Sequence, residues 1–149
     1  MSQIEQSVDV DVPVRTAYDQ WTQFEAFPNF MEGVESVRQL DDRRLHWTAE
    51  IAGVRREWDA EITEQKPDQR VAWRTTKGAH NDGVVTFEPL DSGRTRVMLR
   101  LDFEPEGFTE KAGDVLGIVR TRTKGDLKRF KSFIEERGTE TGAWRGTVN

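Results

Sequence analysis

Few side chains in this sequence are of the types that move protons, hold metals or attack carbonyls. There is no cysteine, and the two histidines, His46 and His80, stand far apart in the chain. Thiolate chemistry and disulfides are therefore excluded, and neither histidine has a partner at a zinc-ligand spacing. No Ser/His/Asp order and no phosphate loop stands out either. The groups left for acid–base work are Tyr18, Arg120, His80 and the carboxylates Glu50, Glu57, Asp59 and Glu61. Each also has an ordinary structural account. Tyr18 lies in a helical stretch where its ring could reach a cavity mouth or simply pack with its hydroxyl in water. Arg120, beside Val119 and three residues after Gly117, could point inward from a long helix or lie on its surface. His80 reads as part of a polar loop tip with Asn81 and Asp82. The four carboxylates share the polar parity of their strands and are expected to face solvent. No catalytic residue is assigned, and no metal or cofactor is called for.

The elements that would position these groups are clear from periodicity. Thr109 to Gly138 carries apolar or semi-apolar residues at Ala112, Leu116, Val119, Thr123, Leu127, Phe130 and Ile134, the spacing that lines one face of a helix. Thr109 reads as its N-cap and Gly138 as its stop. Gly113 and Gly117, one turn apart, either admit a close neighbour or leave room for something bound beneath. Upstream, residues 3–12 alternate as a strand, and Pro13 opens an amphipathic helix of about three turns through Val14, Ala17, Tyr18, Trp21 and Phe24. Phe27-Pro28-Asn29-Phe30-Met31 is too apolar for an ordinary loop and is expected to cover an opening. From Val34 to Phe103 the period is two, with turns at Asp41-Asp42, Gly53, Pro67-Asp68, residues 77–83 and Asp91-Ser92-Gly93. That is six short-turned strands, an antiparallel meander.

Composition sets further limits. The apolar share is 35% and the charged share 33%, so the apolar groups must be concentrated on few faces. Five Trp and eight Phe supply much of the burial. A net charge of −5 argues against general nucleic-acid affinity. No leader or spanning segment is evident, and a cytoplasmic chain is expected. Residues 1–138 form one domain in this reading, and 139–149 a flexible tail.

The residues Val12 to Phe24, Phe27 to Met31, Val34-Glu35-Ser36-Val37 and Gly83-Val84-Val85-Thr86-Phe87 resemble the polyketide cyclase/dehydrase branch of the START-like (SRPBCC) superfamily. The resemblance covers about residues 3–137. It implies an α+β helix-grip fold, a curved antiparallel sheet of about seven strands wrapped on a long C-terminal helix. It also implies a hydrophobic cavity between the two. The candidate ligand-binding residues are then Tyr18, Phe27, Phe30, Trp47, Trp58, Trp73, Phe87, Leu99, Leu116 and Arg120. In the aromatase/cyclases of this superfamily a lid aromatic, a Tyr and a strand Arg are the working groups. The matching positions here are Phe27, Val34 and Ile62, so both polar groups become aliphatic.

The expectation is binding of a small hydrophobic ligand (a lipid, a quinone or a polyketide-like aromatic) without catalysis. One alternative is a polyketide aromatase/cyclase or dehydratase acting in the same cavity. Another is an interaction module that docks a protein or a membrane surface through the basic side of the long helix.

Overall fold

A computed structural model of the chain describes residues 2–51, 53–78, 81–103 and 112–148, and side chains within these except at 2, 51, 103 and 112–116. Seven strands form one antiparallel sheet: β1 (Ser2–Val10), β2 (Val34–Gln39), β3 (Arg44–Ile51), β4 (Val54–Lys66), β5 (Arg70–Lys77), β6 (Asn81–Asp91) and β7 (Arg94–Phe103). Their spatial order is β1-β7-β6-β5-β4-β3-β2. The meander from β2 to β7 follows from the short turns. β1 joins its far edge in register with β7, from Ser2 opposite Phe103 to Val10 opposite Thr95. Register shifts in β4 between Asp59 and Ala60 and between Ile62 and Glu64 are the local irregularities that bend a strand and help to curl a sheet.

β1 and β2 are opposite edges, so the chain between them must cross the whole width of the sheet. It does so as helix α1 (Val14–Trp21), a 3₁₀ helix (Phe24–Asn29) and a turn. α1 is shorter than the three turns read from its spacing. The apolar repeat runs on to Phe24, but there the backbone tightens into the 3₁₀ form. The long helix α2 (Ala112–Arg137) lies against β1 and reaches β3, completing the helix-grip fold. Thr123, Leu127, Phe130 and Ile134 are buried along it, as the spacing requires. Thr109 and His80 lie outside the described residues. No described helix is long and apolar enough to cross a membrane.

Residues 139–148, expected as a flexible tail, instead return to the domain. Val148 exchanges backbone hydrogen bonds with Gln65 at 2.8 and 3.0 Å. Gln20 on α1 binds Thr141 through both ends of its amide, at 2.9 and 3.0 Å. The Trp144 N–H donates to Thr22 Oγ1. Arg145 bridges Asp19 and Asp68 and stacks over the Tyr18 ring. This explains four polar residues that a helix–sheet core would not bury: Asp19, Gln20, Thr22 and Gln65 are all no more than 2% exposed. The tail has few apolar groups, yet it supplies the partners this polar cluster needs.

Burial pushes the Asp19 carboxyl above the usual carboxylate range, although Arg145 opposes the shift. Arg145→Met would leave that buried charge only the exposed Arg15, 3.7 Å away. We expect it to cost about 2–3 kcal/mol near neutral pH, read by urea denaturation. A carboxyl whose pKa is raised by folding binds its proton in the folded state first, so stability rises as pH falls through that range. The loss in the variant should therefore shrink at acid pH. A loss that is small, or equal at all pH values, would contradict this docking of the tail.

Candidate functional site

The inner face of the sheet is wider than one helix covers, and a cavity of about 130 Å³ remains between them. Its floor is built from inward positions of β3 to β7: Leu45, Trp47 and Ala49, then Trp58 and Ile62, Val71 and Trp73, Val85, and Leu99 and Leu101. Their parity on adjacent strands puts them on one face. Val119, Thr123 and Leu127 of α2 form the roof. Trp21, Phe24, Phe27 and Met31 close the end that the β1–β2 connection crosses. The walls are almost wholly carbon. Thr123 spends its hydroxyl on Val119 O at 2.7 Å, so it presents little polarity inward.

Aromatic rings set the shape of this space. Trp47 and Trp58, opposite each other in register, stack with centroids 5.7 Å apart and planes 9° from parallel. Phe27 packs on Trp47 from above, its centroid 5.6 Å away, and meets Trp21 edge-on at 5.2 Å. Trp73 lies across Gly83, its partner in register on β6. A Cβ at Gly83 would run into the Trp73 ring and into Leu101 Cδ2, so this strand position admits no larger residue without moving the indole.

The segment that covers the cavity is held through its backbone. Met31 and Phe30 N–H donate to Phe27 O, and Glu50 N–H donates to Gly33 O at 2.7 Å. Gly33 takes φ +84°, a conformation that favours glycine. From the other side, three residues of α2 one turn apart grip this segment and the β3 residue bonded to it. Arg122 donates to Glu50 O, Asp126 accepts from Glu32 N–H at 2.9 Å, and Arg129 donates to Phe30 O at 3.0 Å. Asp126 and Arg129 also pair with each other. Burial raises the Asp126 carboxyl above its usual range, against the pull of Arg129 and Glu32 N–H. The exposed rim of the cavity is Glu32 and Glu50.

Of the ten residues expected at a ligand site, the structure brings Phe27, Trp47, Trp58, Trp73 and Leu99 together in the cavity wall. Val34 and Ile62, matched to the cyclases' polar positions, are in that wall too. Tyr18 is not. It is fully buried against Phe87, centroids 5.5 Å apart, and its hydroxyl lies inside, toward the Gln65 amide, without a hydrogen bond of good geometry. Phe87 is thereby core, as is Phe30, which packs on Phe130 and Phe133. Arg120 is exposed on the outer side of α2. The Leu116 side chain and the surroundings of Gly113 lie outside what is described. A Cβ at Gly117 would meet nothing within 4 Å, so no neighbour packs tightly there.

The other acid–base candidates sit away from the cavity or at its edge. His46 is on the outer face of the sheet between Asp59, at 2.6 Å from Nδ1, and Glu57, at 3.1 Å from Nε2. Those hydrogen bonds, Asp59 first, hold the imidazolium above its usual range. Among the described residues no cluster of three metal-ligating side chains occurs. What reading by position missed is Arg122, Asp126 and Arg129. Their i, i+4, i+7 spacing was the available signal, but it also describes a solvated helix face.

Residues 10–131 match the family model described as polyketide cyclase/dehydrase and lipid transport. The chain is 60% identical over 149 residues to an uncharacterized 17.2 kDa protein of Streptomyces lincolnensis, covering 99% of each. A solved structure from Deinococcus radiodurans is 29% identical, with a TM-score of 0.73 over 93% of this chain and 99% of that one. The Zhui aromatase/cyclase from Streptomyces sp. R1128 shares the fold at 19% identity, with a TM-score of 0.81 over 96% of this chain and 99% of that one.

Gly83→Ala should displace the Trp73 ring and shrink the cavity, costing about 1–3 kcal/mol as overpacking does. Denaturation followed by tryptophan fluorescence reads both effects. Unchanged stability with an unchanged Trp73 environment would contradict the fit described here.

Proposed function

The chain belongs to the polyketide cyclase/dehydrase and lipid-transport family, and we propose that it binds a small hydrophobic molecule in this cavity without transforming it. The observation that carries the reading is the make-up of the wall. Aliphatic and aromatic side chains surround the space, and the titratable groups near it are committed elsewhere or sit at the rim. Asp126 and Arg129 bind main-chain atoms of the covering segment, and Arg122 binds the Glu50 carbonyl of β3 beside it. Val34 and Ile62 stand where the family's cyclases are matched to a Tyr and an Arg. Aldol closure or dehydration needs a group that gives up or takes a proton within reach of the substrate. An indole N–H and a primary amide, the other polar groups in the wall, do neither near neutral pH.

Affinity would come from burial, about 25 cal/mol per Å² of apolar surface removed from water. At about 130 Å³ the cavity suits a body near the size of one aromatic ring. A larger lipid, quinone or polyketide-like aromatic would enter by displacing the segment from Phe27 to Gly33. That segment is held by hydrogen bonds to its backbone and by the packing of Phe27 and Phe30, so the apolar surface that the ligand buries must offset the exposure of those rings.

The test is thermal denaturation against a panel of single-ring aromatics, short fatty acids and quinones. A ligand at 100 times its Kd adds about 2.7 kcal/mol, which raises the Tm by about 5–10 °C for a chain of this size. Recovery of each compound unchanged is expected alongside that shift. No shift with any member would count against binding, and a converted compound would favour the cyclase or dehydratase reading.

A further inference from the structure

Among the described residues, three that line the cavity carry a buried polar atom with no partner. The indole N–H groups of Trp21 and Trp47 are buried with no acceptor, and Asn81 Oδ1 is buried with no donor, and all three residues line the cavity. Trp21 is only 3% exposed, so water does not reach its ring from outside. Folded proteins pair nearly all such groups, and an indole nitrogen can only donate. The two indoles flank the same ring, Phe27, so both side chains meet at one end of the cavity. Asn81 is at the start of β6, where its main chain is already bound to the Thr75 hydroxyl on both sides, at 2.8 and 3.1 Å. Only its amide is left over.

Resting on the binding reading above, we propose that Trp21 and Trp47 determine specificity by donating their indole N–H groups to an acceptor oxygen on the ligand. The preferred ligand is then an apolar body that carries a carbonyl or similar oxygen at the end that meets Phe27. A pure hydrocarbon of the same shape fills the cavity but leaves both donors unmade, and their lost hydration is not recovered. The stacked Trp47 and Trp58 rings supply the flat apolar surface beside that oxygen. No proton is transferred, because the indole only shares its hydrogen.

Acetophenone and ethylbenzene form a matched pair for the test, since they differ in a carbonyl and little in shape. We expect acetophenone to bind about tenfold more tightly, the usual worth of one net hydrogen bond. In ¹H–¹⁵N spectra of the protein it should move the Trp21 or Trp47 indole proton downfield, and ethylbenzene should not. Trp47→Phe and Trp21→Phe keep an aromatic ring but remove the donor, and at least one should abolish the preference. Trp47 is half-buried and the milder change, so with the spectra it decides the matter if Trp21→Phe does not fold. Equal affinities for the two compounds, or a preference that survives in both variants, would overturn this assignment and leave the binding reading standing. Failure of both compounds to bind would overturn the two together.

Discussion

The grip of α2 on the backbone of the covering segment is the interaction on which the rest depends. A curled sheet with one apolar face must be covered, and a single helix is too narrow to do it. The β1–β2 connection supplies the missing cover, but it arrives as a short helix and a 3₁₀ turn with little regular hydrogen bonding of its own. Asp126 and Arg129 reach across to Glu32 N–H and Phe30 O of that cover, and Arg122 to Glu50 O of β3, whose N–H in turn binds Gly33 O. With it in place, Phe27 can press on Trp47, and Trp47 on Trp58, leaving the cavity beside them. These are hydrogen bonds to main chain, so they constrain the position of the cover more than its sequence.

Strand alternation and the heptad-like stripe of α2 made most of this fold legible in the sequence. Period two from Val34 to Phe103 marks the meander because one face must be dry, and Thr123, Leu127, Phe130 and Ile134 mark the buried side of α2 for the same reason. Cavity and core were harder to separate. Phe87 and Val85 point to the same face of β6, yet only Val85 meets the cavity, because depth along the strand decides and parity does not report depth. Tyr18 and Phe30 were expected at the ligand for a similar reason. Both are inward aromatics, but one packs beneath α1 on Phe87 and the other under α2 on Phe130.

The segment after Gly138 was misread for a different reason. Its composition is polar, and polar segments pack only when the surface they meet is polar as well. That surface is Asp19, Gln20 and Gln65, residues that look like a solvated helix face and a solvated strand. The buried ion pair between Arg145 and Asp19 contributes location more than net stability, since desolvation offsets much of its attraction. Its effect is to anchor the tail beside Tyr18.

Two kinds of interior therefore meet in one small domain, a polar cluster to which the tail supplies partners and an apolar space with unmatched donors on the residues of its wall. The central claim is that this second space is a true void able to take a guest, and not a core filled by its own tryptophans. Xenon tests that directly, because it enters dry apolar cavities without any chemical recognition. In crystals held under xenon pressure we predict a bound atom between Trp47, Trp73, Leu99 and Leu127. No xenon in that space, with the rings of Trp47 and Trp73 packed across it, would contradict the account.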